Sequence, residues 1–456
     1  MTSNQRLQGW QTTLFLTVIF LSHYSLFKRC IHASAEDIRL DKIASEDLLV
    51  TMIPIWVIMM VAEAVLIKRS RFGDCLTSIF HGLLLKTLQT NLRMSLVIGP
   101  YLYIWHHYSV THAFDQPNCS NSFLVLMIVD FAFYWIHRTG HTISVFWAMH
   151  GVHHASEDFN LSTGFRLSLF KPFLDWILFL PLALFFSPHL FVYQQQFHYI
   201  YQFWVHTEIV GKLGPLEWFF STPSQHRVHH GKKDYCIDTN FGAFTCIYDR
   251  LFGTFQEEKD DDPPTYGLTQ SPNTFCAIHL NFVIWQEIIQ KLPYCHNWAD
   301  RFRCFFGSPG WLPPSLSKPH YASSFSPSSK KSSSAATKTT AKTLRKYDPR
   351  YSKSLGRYIL FQGFSLMLFF FLFTQPGWGS AWSFSYLYLN FFSMGRLLNK
   401  SHLAILTEIL KHLILAFLVQ QNFSELNTWI ISISIVYLTV SLGWVVTLRP
   451  DTLHPA

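Results

Sequence analysis

Long apolar runs alternate with polar, histidine-rich segments along this chain. The first long run, Leu48–Ile67, carries a single acid, Glu63. Because a helix of about 20 apolar residues crosses a bilayer, this run predicts a membrane span, and its carboxylate needs a partner or a wet cavity. The runs Met94–Trp105 and Ser122–Ile136, the second of which contains Asp130, predict further spans.

Two segments depart from this simple spanning pattern. Between Cys75 and Leu92, apolar residues recur at helical spacing while Lys86 interrupts them, which predicts an amphipathic or interfacial helix. From Trp176 to Thr207 the sequence contains no Asp, Glu, Lys or Arg. This segment is shorter than the roughly forty residues that two full spans need, so we expect a bent, partly inserted hairpin.

The C-terminal part has four apolar runs that predict a separate transmembrane bundle: Tyr358–Thr374, Trp378–Met394, Leu403–Val419 and Thr428–Thr447. Upstream, Ser323–Thr343 is rich in Ser, Thr and Lys and predicts a disordered linker. Near the N-terminus, the short apolar run Leu14–Leu21 predicts a marginal, uncleaved anchor. We therefore divide the chain into an N-terminal segment (1–47), a membrane domain that holds the histidines (48–300), a basic linker (301–357) and a C-terminal bundle (358–456).

Composition supports an all-α, polytopic membrane helical bundle. Of 456 residues, 49% are hydrophobic and 17% aromatic. The net charge of +8 would suit a nucleic-acid binder, but nine basic residues against one acid lie between Tyr321 and Tyr358. Without them, the 36 basic and 28 acidic residues of the chain reduce to 27 of each, so the excess marks a cytosolic linker and no nucleic-acid partner is expected. The eight cysteines form no Cys-x-x-Cys pair and predict no disulfide framework.

Three histidine clusters carry the candidate chemistry: His137 and His141; His150, His153 and His154; His226, His229 and His230. Residues three or four apart share a helix face, so each cluster can direct imidazoles at one point. On one straight helix His150 would lie opposite His141, and the β-branched residues at 142, 143 and 145 therefore predict a bend. All-imidazole ligation suits iron, copper, nickel or zinc, and eight imidazoles are enough for two metal ions. The sequence thus predicts a di-metal site where the membrane meets water.

Other polar residues are candidates for supporting roles. Asp130 shares a helix face with His137 and His141 and could accept a hydrogen bond from a ligand imidazole. The same role is open to Asp238, Asn240 and Asp249, although each is also an ordinary turn or cap residue. His206 is a further candidate ligand. We expect four histidines to be bystanders: His23, His32, His189 and His279.

The order His-x-x-x-His, His-x-x-His-His and again His-x-x-His-His resembles the histidine signature of the membrane fatty acid hydroxylase superfamily. The surrounding text, with YWIHRTGH, FWAMHGVHHASEDFNLST, QFWVHTE, LGPLEWFFSTPSQHRVHHGK and YCIDTNFG, is similar to the branch that cleaves ether lipids. The match covers Leu48 to Leu292, and the C-terminal bundle matches by architecture only.

This resemblance implies a non-haem di-iron lipid monooxygenase of the endoplasmic reticulum membrane with two irons per chain. It would use oxygen and tetrahydrobiopterin to hydroxylate the ether-linked carbon of an alkylglycerol, giving a hemiacetal that breaks down to a fatty aldehyde and glycerol or a lysolipid. Carried over by motif position, the iron ligands are His137, His141, His150, His153, His154, His226, His229 and His230.

One position departs from the superfamily pattern. The residue after the second histidine of the signature carries a Glu that is thought to engage the pterin, whereas this chain has Thr142. We expect pterin to be used with a raised requirement, held by other groups such as Glu157 or Glu208.

Two alternatives remain open from the sequence. A sterol or sphingolipid hydroxylase or desaturase of the same superfamily would draw electrons from cytochrome b5. A non-enzymatic metal-binding membrane protein is the other; transporters, however, place ligands midway across paired helices, unlike clusters at span ends. Since all clusters must share one side, we expect them and the linker to face the cytosol, which leaves Asn160 unglycosylated despite its Asn-Leu-Ser sequon.

Overall fold

The computed structural model describes residues 17, 48–67, 70–93, 98–111, 114, 119–316, 346–373, 381–421 and 428–447. Within these residues the chain is all-α, as predicted, and isolated β-bridges join Phe220 to Thr245 and Gly231 to Tyr266. The sequence predictions for His23, His32 and Ser323–Thr343, and for the N-terminal apolar run apart from Thr17, lie outside the described residues.

The helices follow one another with short connections. Those before the linker are α1 (Leu48–Ile67), α2 (Phe72–Arg93), α3 (Gly99–Tyr108), α4 (Cys119–Thr142), α5 (Ser144–His150), α6 (Lys171–Phe179), α7 (Pro188–Trp204), α8 (Pro223–His229), α9 (Ile247–Leu251), α10 (Ala277–Lys291) and α11 (Trp298–Phe306). Those after it are α12 (Lys353–Phe373), α13 (Ala381–Leu398), α14 (Ala404–Gln421) and α15 (Thr428–Thr447). The predicted apolar runs of the C-terminal part are thus confirmed as helices, and α1 has the predicted bounds.

Helix α4 is the element around which the histidine-bearing part is built. It packs against α5, α6, α7 and α9. The sequence placed His137 and His141 just past its end, but the helix continues through both to Thr142. The predicted bend is confirmed at Ile143, which is extended at φ −121° and ψ 126° and separates α4 from α5. This single extended residue turns the chain so that α5 can carry His150 back toward α4.

The segment predicted as a bent hairpin has that shape. Helix α6 passes into a 3₁₀ turn at Leu180–Leu184, and Pro188 then begins α7. Both α6 and α7 pack against α4, so the two arms of the hairpin lie along the same helix. Pro181 and Pro188 explain the turn. Each proline lacks a backbone N–H donor and has a fixed φ, so a helix cannot continue unbroken through it.

Helix α2, which the sequence predicted to be amphipathic or interfacial, presents no fully exposed face among the side chains that the structure describes. Every side chain from Phe72 to Gln89 is buried or half-buried, and the helix packs against α10, α12 and α13. Its polar residues find partners inside the protein: the Arg166 side chain donates to Ser78 Oγ at 3.0 Å and pairs with Asp74 at 2.9 Å. Helical periodicity cannot reveal a partner that lies about ninety residues away in the sequence.

The C-terminal helices share a core with α2 and do not form an isolated bundle. Phe80, Leu84 and Phe275 are buried together with Phe369, Tyr386 and other side chains of α12 to α15. A fully buried ion pair, Glu408 with Lys411, lies within this part. The predicted linker range also begins inside a helix, because residues 301–306 belong to α11.

Among the described residues, one helical stretch, Ser120–Thr142, is long and apolar enough to cross a membrane, and Thr51–Ile67 and Ile431–Val446 are shorter apolar helices. Six cysteines whose side chains the structure describes are free: Cys75, Cys236, Cys246, Cys276, Cys295 and Cys304.

Candidate metal centre

Nine histidines lie together in two groups, in each of which one ring nitrogen per residue lies within 4.8 Å of the others. One group contains five residues, His137, His141, His150, His154 and His229; the other contains four, His153, His206, His226 and His230. The structure therefore brings together all eight predicted ligands and His206, the further candidate ligand. The spacing along the chain did not show how the histidines divide between the groups.

Histidines that are neighbours in the sequence belong to different groups. His153 and His154 lie in a 3₁₀ turn directly after α5, so their side chains diverge, and their ring planes are 87° apart. His229 and His230 at the end of α8 behave alike, with planes 85° apart. Each His-His pair of the sequence motif thus supplies both groups, which holds the two groups next to each other.

In the four-histidine group the ring nitrogens face one another closely. His206 Nε2 lies 2.9 Å from His226 Nε2 and 3.2 Å from His153 Nε2, and His226 Nε2 lies 3.1 Å from His230 Nε2. His206 Nδ1 is 2.6 Å from the Gln202 carbonyl oxygen and must carry the proton, so its Nε2 presents a lone pair. Two imidazole nitrogens that share a metal ion at about 2.1 Å lie roughly 3 to 3.5 Å apart. The donor set therefore fits one metal ion.

The five-histidine group shows the same arrangement. His137 Nδ1 donates to the Phe241 carbonyl and His229 Nδ1 donates to the Thr239 carbonyl, each at 2.9 Å. The Nε2 atoms of His141 and His229 are buried and have no hydrogen-bond partner among the described residues. A buried lone pair without a donor is costly, and a cation between the rings removes that cost. This group fits a second metal ion.

The loop after α8 supplies both of these carbonyl acceptors. Asp238 and Asn240 have positive φ values, 56° and 55°, a conformation that Asp and Asn tolerate better than most residues. The Asn240 amide donates to the carbonyls of Gln225 at 3.0 Å and Gln256 at 2.7 Å. The loop shape turns the carbonyls of residues 239 and 241 toward the histidines. Asp238 and Asn240 therefore shape the loop whose backbone carbonyls hold His229 and His137.

Asp249 fixes the other side of this loop. Its two carboxylate oxygens accept from the backbone N–H groups of Phe241 and Gly242, each at 2.7 Å. Residue 242 must be glycine, because a Cβ there would lie 2.1 Å from the Thr245 carbonyl oxygen. Asp249 thus orients the Phe241 carbonyl that accepts from His137. The sequence had suggested a direct hydrogen bond between Asp249 and a ligand imidazole.

Asp130 lies on α4 as predicted but serves another partner. Its carboxylate accepts from His198 Nε2 at 3.1 Å, from the backbone N–H of Phe244 at 2.8 Å and from the Thr245 backbone N–H at 3.0 Å. His198 belongs to neither histidine group. Asp130 therefore anchors the 244–245 loop to α4 and α7.

Burial keeps the third-cluster imidazoles neutral. It lowers the pKa of His229 to about 4 and holds the pKa values of His226 and His230 well below their usual range. Near neutral pH these rings present lone pairs, as metal ligation requires. Burial also raises the pKa of Asp249 to about 6.

Several supporting residues were not assigned from the sequence. Arg227 pairs with both carboxylate oxygens of Glu258 at 2.7 Å and donates to the carbonyls of Thr207 and Val210, which ties α8 to the segment after His206. Glu63 of α1 has the partner that the sequence required, because it accepts from the Leu161 N–H at 2.6 Å and also from the Thr207 hydroxyl. The sequence signal for this role of Glu63 was the presence of an acid inside an apolar run.

The remaining predicted residues lie outside the groups. The Thr142 side chain is exposed at the end of α4 and donates to the Arg138 carbonyl at 3.0 Å. Of the expected bystanders, His189 is buried and packs against the Tyr193 ring, and His279 is exposed. Neither belongs to a metal-ligand group.

Comparison with known proteins shows which proteins this site is similar to. Residues 122–254 match the fatty acid hydroxylase family. The human alkylglycerol monooxygenase is 41% identical over 244 residues, and that of Xenopus tropicalis is 38% identical over 244 residues; each alignment covers 53% of this chain and 54% of the relative. A probable Delta(7)-sterol 5(6)-desaturase of Neurospora crassa is 30% identical over 146 residues, which is 30% of this chain and 39% of that protein.

The chain therefore spans about half the length of the curated relatives it matches. No solved structure matches it. The resemblance to the fatty acid hydroxylase superfamily, inferred from the histidine spacing, is confirmed, and the matched segment contains every histidine of the two groups.

Proposed function

We propose that this protein is a membrane-bound lipid monooxygenase that hydroxylates the alkyl carbon next to the ether oxygen of glyceryl ethers. The observation that carries this proposal is the pair of buried histidine groups inside a segment that matches the fatty acid hydroxylase family. Similarity to alkylglycerol monooxygenases supports the choice of substrate, since it extends over more of the chain and at higher identity than the similarity to a sterol desaturase.

The proposed metal is iron, one ion per histidine group. All-nitrogen donor sets also suit zinc, but zinc has no redox chemistry and would serve hydrolysis instead. Iron, when bound, supplies the activation of oxygen that insertion into a C–H bond requires. The donor sets proposed are His137, His141, His150, His154 and His229 for one ion and His153, His206, His226 and His230 for the other.

The protein side chains prepare this chemistry. The carbonyls of Thr239 and Phe241 hold His229 and His137 in the tautomer that leaves Nε2 free. Burial excludes water from all nine imidazoles, apart from the half-exposed His141. In the proposed reaction the C–H bond becomes C–OH and the second oxygen atom leaves as water, for which an external reductant supplies two electrons and two protons are taken up. The hemiacetal product then loses its alkoxy group and gives the fatty aldehyde and the glycerol.

The membrane arrangement is also proposed. We infer a multi-pass protein of the endoplasmic reticulum in which the 48–300 domain is catalytic, the 358–456 bundle is transmembrane, and the histidine groups and basic linker face the cytosol. Exposed apolar side chains on α1, such as Ile58, Val61 and Val65, support lipid contact there. The apolar helices α12 to α15 support the same arrangement by composition.

Tetrahydrobiopterin is the proposed reductant, although Thr142 replaces the acid expected at its position. Of the two alternative acids, Glu157 is already engaged, because it accepts from Arg71 Nη1 at 2.9 Å and from the Tyr347 N–H at 3.2 Å. Glu208 is half-buried like Glu157 and hydrogen-bonds the Tyr266 side chain, but it follows His206 of the four-histidine group by only two residues. We therefore favour Glu208 as the acid that assists pterin binding in this chain.

Incubation of membranes that contain the protein with a labelled alkylglycerol tests the proposal. Release of labelled fatty aldehyde that requires oxygen and reduced pterin is the expected result. Turnover that does not depend on pterin but requires cytochrome b5 and its reductase would instead indicate a sterol or sphingolipid hydroxylase or desaturase. Bound metal without any lipid turnover would support the non-enzymatic alternative.

A further inference from the structure

Helix α11 presents an unusual outer surface close to the metal centre. Trp298, Phe302 and Phe306 recur every four residues, which places them on one side of the helix. Their exposed fractions are 80%, 63% and 53%, and Trp298 is the most exposed tryptophan among the described residues. The opposite side is packed: Cys304 is buried at 1% and Asp300 at 4% exposure. The helix is therefore amphipathic, with its aromatic side turned outward.

Cationic groups accompany these rings. Arg301 and Arg303 are both exposed, and the Arg301 guanidinium lies 5.1 Å from the centre of the Trp298 ring. The single acid of the helix, Asp300, is buried. Asn297 caps the N-terminus, because its Oδ1 accepts from the Asp300 backbone N–H at 2.8 Å. The outward surface thus combines aromatic rings with positive charge and carries no exposed carboxylate.

The helix is held firmly against the metal domain. Both the backbone N–H and the hydroxyl of Ser144, the first residue of α5, donate to the Gly307 carbonyl, at 2.9 and 3.0 Å. The Sγ atoms of Cys295 and Cys304 lie in contact at 3.3 Å beneath the helix. Because α5 ends at His150, the aromatic surface has a fixed position relative to the five-histidine group.

We propose that α11 lies flat on a bilayer surface that contains anionic phospholipid, with Trp298, Phe302 and Phe306 inserted at headgroup depth. Aromatic side chains favour this region because they offer both an apolar body and an electrostatically active ring. Amphipathic helices with basic polar faces bind anionic interfaces in this way. Arg301 and Arg303 meet lipid phosphates. The helix sets the height of the bilayer surface relative to α5, so a lipid reaches the histidines from the adjacent leaflet.

This inference rests on the membrane placement in the proposed function and not on the substrate or the reductant. Its test therefore uses the full-length protein in lipid nanodiscs and does not require turnover. A fluorescent non-canonical amino acid replaces Phe302, and a matched protein carries it at Asp261, which is exposed in a polar loop. Brominated phospholipids are then added as short-range quenchers.

Strong quenching at position 302 and little at position 261 is expected. In the Arg301→Gln, Arg303→Gln double variant, quenching at 302 should no longer increase when phosphatidylserine replaces phosphatidylcholine. Equal, weak quenching at both positions would overturn the proposal, as would cross-linking of position 302 to a second protein chain. Unchanged thermal unfolding of the labelled proteins in detergent confirms that the fold is intact. If the unlabelled protein does not turn over the alkylglycerol but the labelled protein shows the expected quenching, the proposed function is contradicted and this inference still stands.

Discussion

The carbonyl oxygen of Phe241 lies 2.9 Å from His137 Nδ1, although 104 residues separate the two along the chain. This contact joins the transmembrane candidate α4 to the polar loop after α8. It also fixes the tautomer of His137, because a carbonyl can only accept, so the proton must lie on Nδ1 and the lone pair on Nε2. The loop around residue 241 therefore determines how the first histidine of the motif presents itself to a metal ion.

Asp249 should control metal retention through this loop. Replacing it with Ala removes the acceptor for the N–H groups of Phe241 and Gly242 and frees the carbonyl that holds His137. Loss of groups that orient metal ligands typically lowers metal affinity or activity by about 10- to 100-fold. Iron bound per chain in purified protein measures the effect. Asp261→Ala, in an exposed loop, is the matched control and should retain its iron.

His206 should behave as a ligand. Its Nε2 lies within 3.2 Å of the nitrogens of two other group members, so His206→Ala should lose iron and activity as completely as His153→Ala or His229→Ala. His189→Ala and His279→Ala should keep both, because neither belongs to a group. Metal analysis together with product release distinguishes these outcomes. An active His206→Ala protein with full iron would restrict the ligands to the eight motif histidines.

The histidine motif was sufficient to predict which histidines lie together, because side-chain spacing on helices is a local property. The bend at Ile143 was predictable for the same reason, since two clusters on one straight helix would face apart. The division into five and four histidines was not, because it depends on turns that make His153 and His154 diverge. The burial of α2 was missed because its partner Arg166 is distant in sequence.

Thr142 should raise the pterin requirement. Its exposed side chain offers one weak acceptor, whereas a carboxylate could form a charge-assisted contact worth about 1.5 to 3 kcal/mol. Thr142→Glu should therefore lower the pterin concentration at half-maximal rate by about 10- to 100-fold. Thr139→Glu, less than one helical turn earlier, is the matched control and should leave that concentration unchanged. The same shift in both variants would indicate a general effect of added negative charge.

Asn160 should carry no glycan. Its side chain is 3% exposed, and its Oδ1 accepts from the N–H of Ser162 and so caps the 3₁₀ helix Leu161–Phe165. A sugar cannot be attached without opening this turn, and a cytosolic site would not meet the glycosylation machinery. Intact-mass analysis of protein from eukaryotic membranes tests this. Protease accessibility of a tag near Lys338 in sealed vesicles tests the cytosolic side separately.

The buried pair Glu408 and Lys411 should behave as a coupled unit in the C-terminal helices. Both side chains are fully buried, and Lys411 Nζ lies 2.7 and 2.8 Å from the two oxygens of Glu408. Lys411 also donates to Gln362 of α12 at 2.8 Å, and the Tyr358 hydroxyl donates to Glu408, so the pair joins α14 to α12.

Removing one partner of such a pair leaves an uncompensated buried charge, which typically costs about 3 to 5 kcal/mol, whereas replacing both by apolar groups is often close to neutral. Lys411→Met alone should therefore lower the thermal unfolding temperature in detergent far more than Lys411→Met combined with Glu408→Leu. The exposed pair Lys212 and Asp260 provides the contrast, since Lys212→Met should have little effect. If the double variant is as unstable as the single one, the polar network around Gln362 and Tyr358 stabilises these helices independently of the ion pair.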